Sequence, residues 1–405
     1  MNSSNTFFGI LPKDGGLAVE RTTLFNISIA ILAILTIVGI GSGVYALYAG
    51  HEHTFGTGRE IPWGILIAAY VFFVVTSTGL CIVSSIGHVF GFEKFFGFEK
   101  FAPIAKRAVF LSIVTIISGF LVIAFEIENT WRMPIAIITG FNLTSNIWWM
   151  GTLYGAYMLF MILEFIMLQL EKHNLAMGCG LAGLLVGIAA HSNLGAVFGL
   201  LNGREFWHGP FMPIYFIFSA AMSGCMAILF FTYVAYRFNG WTFSDKMKLS
   251  LRSAAKLAAF LIFVVLFFTI WKMIAGVTGD PPGKYEASMY LLNGPYTVNF
   301  WIGEITLGLV VPFLLILSVR AESLRVIFIA SIAGIIGIFF MRYDLVIVGQ
   351  LVSHFAELGL ADYPKMFSYT PSCLEVLTTM GGFAFCGLFF LLGEKYFRGH
   401  MSEGH

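Results

Sequence analysis

Apolar stretches of about twenty residues recur along the whole chain, separated by short segments that hold most of its charge. At roughly 20 residues each they are long enough to cross a hydrocarbon core as helices. Ten spans are predicted, near 25–48, 63–90, 104–126, 147–170, 175–200, 211–237, 253–276, 299–319, 324–343 and 372–393. The fifth is expected to be interrupted at His191, Ser192 and Asn193. The ninth, the shortest, is expected to end in Met341-Arg342-Tyr343-Asp344. The pattern predicts an all-α integral membrane protein. It reads as a single membrane domain over 1–405, with tails at 1–24 and 394–405 and a transmembrane region at 25–393.

Composition strengthens that picture. Hydrophobic residues make up 58% of the 405 residues and charged ones 11%, too few to cover a soluble protein of this size. A net charge of +1 offers nothing for nucleic acid to bind. The five cysteines sit apart inside apolar segments without a Cys-x-x-Cys pair, so buried, inert thiols are expected and no metal or iron–sulfur site. Met1–Arg21 lacks a signal-peptide pattern, so the first helix is expected to stay in the mature protein.

Lys and Arg then set the orientation. The tails and the connections after spans two, four, six and eight hold 16 of the 23 basic residues, and the opposite connections hold six. By the positive-inside rule both termini are cytoplasmic. The outer loops are then 49–62, 127–146, 201–210, 277–298 and 344–371. A repeat, Phe90-Gly91-Phe92-Glu93-Lys94-Phe95 followed by Phe96-Gly97-Phe98-Glu99-Lys100-Phe101, fits a short interfacial helix on the inner face. Thr278 to Gly283 reads as a rigid turn.

Ionisable residues in lipid are costly unless paired or hydrated, which makes each a functional suspect. Glu126, His191, Lys272, Glu304, Asp344 and Glu375 all fall toward the outer side, and Glu164 lies in the inner half of span four. Trp63, Trp131, Trp148, Trp149 and Trp207 share the outer level, where an interfacial aromatic belt is the plainer explanation. Lys272 with Glu304 also reads as a structural ion pair. His191, Ser192 and Asn193 bring three hydrogen-bonding side chains into one turn of an apolar helix.

Such a cluster suits a quinone head group, which needs a hydrogen-bond donor at a carbonyl, a proton carrier and aromatic walls. His191 supplies a group that titrates near neutrality and Glu126 a carboxylate. Bis-His haem is a poor fit, because His88 and His191 lie toward opposite sides of the membrane. No redox centre is expected in the chain, so another subunit must carry the electrons.

These residues fall within stretches that resemble the NrfD/PsrC-type quinone-interacting membrane subunits, most closely the ten-helix branch that includes HmcC, TmcC and DsrP. The matching stretches are Ile61–Phe73, Phe125–Pro134, Ser145–Tyr154, His191–Gly199, Trp207–Pro210 and Ser219–Gly224. Phe300–Ile305, Met341–Asp344 with Gly349-Gln350, and Tyr369–Glu375 complete the series. The resemblance implies two four-helix bundles with flanking helices in the cytoplasmic membrane. It implies menaquinone as bound substrate and a ferredoxin-like iron–sulfur subunit docked on the outer face. Multihaem cytochrome c and further membrane or cytoplasmic redox subunits are implied as partners, with links to sulfur or sulfate metabolism and proton translocation.

By position, His191, Glu126, Ser192 and Trp63 become the expected quinone-binding residues. Glu164, Lys272 and Glu304 become the expected proton path. Family members with polar residues just after the tryptophan differ from this chain, where Gly64, Ile65 and Ile67 follow.

A proton-coupled secondary transporter is the competing class. It would carry similar intramembrane acids, usually with two-fold repeats and broken midplane helices; this sequence shows no convincing long repeat, and its polar set clusters at one membrane side. A passive anchor accounts for neither Glu126 nor the His191 cluster. Purification in mild detergent separates the classes. The electron-transfer reading expects co-purified menaquinone with iron–sulfur or haem absorbance; a colourless, quinone-free single polypeptide from intact membranes would favour the transporter.

Overall fold

The computed structural model describes residues 23–88, 98–353 and 364–397. Residues 1–22 and 398–405, most of the Phe-Gly-Phe-Glu-Lys-Phe repeat and part of the last outer loop lie outside the described residues, while 394–396, expected in the tail, belong to the last helix. Of the repeat, only Phe98–Phe101 is described, as one 3₁₀ turn.

In chain order the helices are α1 (Thr23–Ala49), α2 (His51–Thr54), α3 (Ile65–His88), α4 (Ala102–Glu126), α5 (Arg132–Thr139), α6 (Asn146–Gln169) and α7 (His173–Gly199). They continue with α8 (Phe211–Asn239), α9 (Asp245–Val277), α10 (Lys284–Leu292), a π-helix (Asn299–Val310) running into α11 (Val311–Ser318), α12 (Leu324–Leu351) and α13 (Cys373–Tyr396). Among the described residues ten helices are long and apolar enough to cross a membrane. The chain is an all-α, multi-pass integral membrane protein. Without water in the bilayer core, backbone N–H and C=O groups must pair within the segment, and helices do this. Three helix starts are closed by serine side chains. Ser145, Ser244 and Ser372 each accept an N–H from the first turn of α6, α9 and α13. Glu375 Oε2 in turn accepts from Ser372 N.

The outward faces are made for lipid. Phe260, Phe263, Phe267, Ile270 and Ile274 recur at helical spacing on α9 and are all exposed. Inward, α3 packs along α4 and α8, α6 along α7, and α12 along the π-helix and α8. The first helix lies along α13, which rests on α4. Several crossings are glycine on backbone. A Cβ on Gly79 would stand 1.8 Å from Ala220 O, one on Gly224 2.1 Å from Gly79 C, and one on Gly337 2.0 Å from Gly308 Cα. Small residues replace the hydrophobic drive that is absent between helices in lipid. An ion pair of Arg107 Nε with Glu394 Oε1 at 2.7 Å, wholly buried, ties α4 to α13.

Four sequence expectations are corrected. The fifth span is not interrupted: α7 is continuous through His191, Ser192 and Asn193, because His191 and Asn193 find polar partners on other helices. The ninth span does not end at Asp344. It runs to Leu351, so Arg342 and Asp344 are buried inside a helix and the outer loop begins later. Of the cysteines, all free, Cys373 is exposed and Cys179 half-buried, so burial holds only for Cys81, Cys225 and Cys386. Trp207 is no belt residue. It is buried and donates Nε1–H to Leu345 O at 2.7 Å. The turn before α10 is as expected, with φ of +80° at Gly279, +47° at Asp280 and +74° at Gly283.

Pro312 stands at the junction of the π-helix and α11. A proline ring clashes with the carbonyl four residues earlier in a regular helix, and a widened turn before it removes the clash. Thr306 Oγ1 donates to Trp301 O at 2.7 Å across that wider turn.

Gly224→Val is expected to destabilise the protein by at least about 2 kcal/mol, since α3 and α8 must separate to admit the side chain. Denaturation in mixed micelles would measure it.

Candidate functional site

The helix ends nearest Trp63, here the Trp63 face, hold one connected set of polar groups. Trp63 lies two residues before α3. Its backbone is gripped by Gln350 of α12: Trp63 N donates to Gln350 Oε1 at 3.0 Å, and Gln350 Nε2 donates to Trp63 O at 2.9 Å. The half-buried Trp63 ring stacks on Trp207 at 5.3 Å and meets Phe198 edge-on at 5.5 Å. Gly349 makes this possible, because a Cβ there would stand 1.9 Å from Trp207 Nε1.

Two carboxylates meet the start of α3. Gly64 N donates to Glu126 Oε1 at 3.4 Å, and Glu126 Oε2 has no hydrogen-bond partner among the described residues. Ile65 N donates to Tyr369 Oη at 2.9 Å, and that hydroxyl donates to Glu375 Oε1 at 2.7 Å. Glu375 Oε2 also accepts from Gly56 N at 2.8 Å. A helix N-terminus favours negative charge, which accounts for both acids at this end of α3. Burial, then the neighbouring Glu375, pushes the Tyr369 hydroxyl above its ordinary pKa. Burial holds the His51 imidazole below its usual value, against the opposing pull of Glu128 and Glu375. Arg204 Nη1 donates to Gln350 O and Val352 O and its Nη2 to Glu60 O, binding the end of α12 to the loop before Trp63.

Deeper, roughly 12 Å from the end of α7 at 1.5 Å per residue, lies His191, fully buried. Its Nε2 is 3.0 Å from Phe216 O, which can only accept, so Nε2 carries the hydrogen and Nδ1 accepts from Tyr154 Oη at 3.3 Å. Phe216 O also accepts from Ser219 Oγ at 3.0 Å, and Arg342 Nη2 donates to Ser219 Oγ at 2.7 Å. The Arg342 guanidinium lies over the rings of Phe216 and Tyr215 at 5.1 and 6.0 Å. Beyond Arg342, in its electrostatic reach, is Glu304 on the π-helix, with Asp344 and Lys272 near that acid. Lys272 makes no ion pair with Glu304 among the described residues; its Nζ lies over Phe206 and Tyr215. The expected Lys272–Glu304 ion pair is thus replaced by ring contacts.

A profile of the family described as polysulphide reductase, NrfD, matches residues 53–354. The chain belongs to the NrfD family. It is 28% identical over 399 residues to the Hdr-like menaquinol oxidoreductase integral membrane subunit of Archaeoglobus fulgidus, covering 94% of this chain and 96% of that one. It is 24% identical to a selenate reductase subunit of Mesobacillus selenatarsenatis over 87% of this chain and 89% of that one. Protein NrfD of Escherichia coli is 23% identical over 72% of this chain and 96% of its own length.

In this NrfD chain the residues singled out from sequence fall into separate places. Trp63 and Glu126 both stand at the start of α3, the acid on Gly64 N rather than on the indole. His191 lies behind them, joined to Trp63 through the ring series Phe198 and Phe216, at 5.5, 5.7 and 5.7 Å. Both of its nitrogens are engaged, so none is left for Glu126. Ser192 is half-buried beside it, and Asn193 Nδ2 donates to Asn146 O at 2.8 Å. Glu164 is buried far along α6, in the electrostatic neighbourhood of Cys81 and Tyr157. Sequence reasoning passed over Tyr154, Ser219, Gln350 and Tyr369 as individual groups. Each stands inside a stretch that carries the family likeness, which is the signal that could have found them.

Gln350→Leu is expected to cost about 1–3 kcal/mol, because it strands the N–H and C=O of Trp63 together. Altered Trp fluorescence with a lower unfolding midpoint would confirm it; an unchanged midpoint would count against the clamp.

Proposed function

We propose that the chain is the quinone-reactive membrane subunit of a respiratory electron-transfer complex. The observation that carries the reading is the junction at the start of α3. There a half-buried indole, an acid with one unpartnered oxygen and the Tyr369–Glu375 pair meet at one end of the helices. Relatives of nearly full length that include a menaquinol oxidoreductase subunit support the same reading.

A quinol gives up two electrons and two protons as it becomes a quinone. Glu126 is suited to take a proton, Trp63 to wall the ring and Ser192 to offer a hydrogen bond to a carbonyl, while His191, held between Tyr154 and Phe216 O, orders the layer behind them. This chain supplies binding, orientation and proton exchange; menaquinol, oxidised to menaquinone, is the substrate. The electrons go to a separate redox subunit, and a ferredoxin-like iron–sulfur protein on the Trp63 face is the partner we favour. A polar cavity of about 730 Å³ on that face, lined by Arg204, Asp280, Glu286 and Lys365 among others, suits a water-soluble neighbour. In this reading the Trp63 face is the outer one, both termini are cytoplasmic, and the helices form two bundles joined along α3 and α8. Multihaem cytochrome c and sulfur-linked metabolism are further expectations of the same reading.

Glu304, Lys272 and Glu164 are the candidates for a proton path. The buried charges around Arg342, carried partly by a π-helix, favour proton translocation as a second activity of the same subunit.

Glu126→Gln is expected to lower quinol-linked electron transfer on the order of 10²-fold or more in the assembled complex. His191→Ala is expected to abolish it while the protein remains assembled. Stopped-flow quinol oxidation by complexes of matched composition is the measurement. Wild-type quinol kinetics in both variants would refute the assignment.

A further inference from the structure

On the face opposite Trp63, α8 ends beside the start of α12, with a cavity of about 680 Å³ between them. Tyr233, Tyr236, Trp241, Arg237 and Arg325 line it, and no carboxylate does among the described residues. Arg237 and Arg325 are exposed, and among the described residues neither is paired with an acid. Ser323, the N-cap of α12, also lines the cavity and makes no side-chain cap, so the first-turn N–H groups lack a side-chain acceptor. Two guanidiniums beside a helix N-terminus form an anion site, and no described carboxylate lines it.

Toward the bilayer centre the same strip becomes apolar. Phe230 lies two turns deeper than Arg237 on one face of α8, and Ile332 two turns deeper than Arg325 on one face of α12, roughly 10 Å in each case. Both residues line a second cavity, of about 310 Å³, with Phe72, Ala227, Ile336 and Phe383. Stacked rings bridge the two levels: Phe230 on Phe328 at 5.6 Å, Phe328 on Tyr233 at 4.3 Å, and Tyr233 on Phe243 at 5.7 Å. From the surface inward the order is cationic, aromatic, apolar.

We propose that this groove binds one anionic glycerophospholipid, its phosphodiester at Arg237 and Arg325 and an acyl chain along the seam of α8 and α12. A zwitterionic lipid carries an ammonium group that would meet two arginines and no acid. Free phosphate satisfies the mouth but leaves the apolar groove unused. The site is independent of the quinone reading and of orientation, because both leaflets present headgroups.

The test uses the full chain, delipidated in mild detergent and offered phosphatidylglycerol or phosphatidylcholine with identical acyl chains. Bound lipid is counted by native mass spectrometry. Phosphatidylglycerol is expected to be retained in preference. Arg237→Gln with Arg325→Gln should weaken retention on the order of 30-fold, about fivefold per arginine. Lys246→Gln, on the same face but outside the cavity, should change little. Ile332→Trp keeps both arginines and fills the groove, so it should expel lipid while inorganic phosphate still binds. Equal retention of the two lipids would overturn the proposal. So would loss in Lys246→Gln matching the double variant, or displacement of bound lipid by millimolar inorganic phosphate. If the double variant fails to fold, the wild-type lipid preference and Ile332→Trp decide the matter.

Discussion

The hydrocarbon environment forces polar groups to find partners inside the protein, and Arg342 is where that demand is greatest. Its guanidinium sits fully buried on α12. One N–H goes to Ser219, the faces of Phe216 and Tyr215 lie beneath it, and Glu304 stands in its field. Ser219 turns its own hydrogen to Phe216 O, which also receives His191. One cation on α12 thereby fixes side chains on α8, and through a shared carbonyl orients the imidazole on α7 and the phenol on α6. Packing follows the same logic: glycines at the crossings let backbones meet closely enough for short side chains such as Ser219 to reach across.

Much of this architecture was legible in the sequence, because a run of apolar residues has few alternatives to a membrane helix. The count of ten spans came from that alone. The errors arose where sequence treats a charged or polar side chain as a local property. Arg342 and Asp344 looked like the end of a helix, yet residues on the π-helix and α8 accommodate them and α12 continues. His191, Ser192 and Asn193 looked like a break, yet Tyr154, Phe216 O and Asn146 O supply partners for His191 and Asn193 from other helices. Trp207 looked interfacial until the space above Gly349 proved to be its pocket.

The candidate site was legible in part. Trp63 and Glu126 both come to the start of α3, while His191 lies a layer behind them with both ring nitrogens already bonded. No periodicity could have paired Gln350 with Trp63, since the contact joins residues from distant parts of the chain through two backbone atoms. Nor could spacing reveal that Glu375, singled out only as an acid toward the outer side, both caps α13 and anchors the Tyr369 hydroxyl at the start of α3.

The Gln350 grip has a mechanical meaning. Gln350 and Arg342 belong to one unbroken helix, separated by roughly 12 Å of α-helical rise. The carboxamide clasps the main chain at Trp63, and the guanidinium is seated among the buried charges, so α12 acts as a connecting rod with a fixed length between two bearings. A displacement of the charged layer along that axis would bear on the main chain at Trp63. A shift of the indole's main chain is delivered back to the charges in the same way.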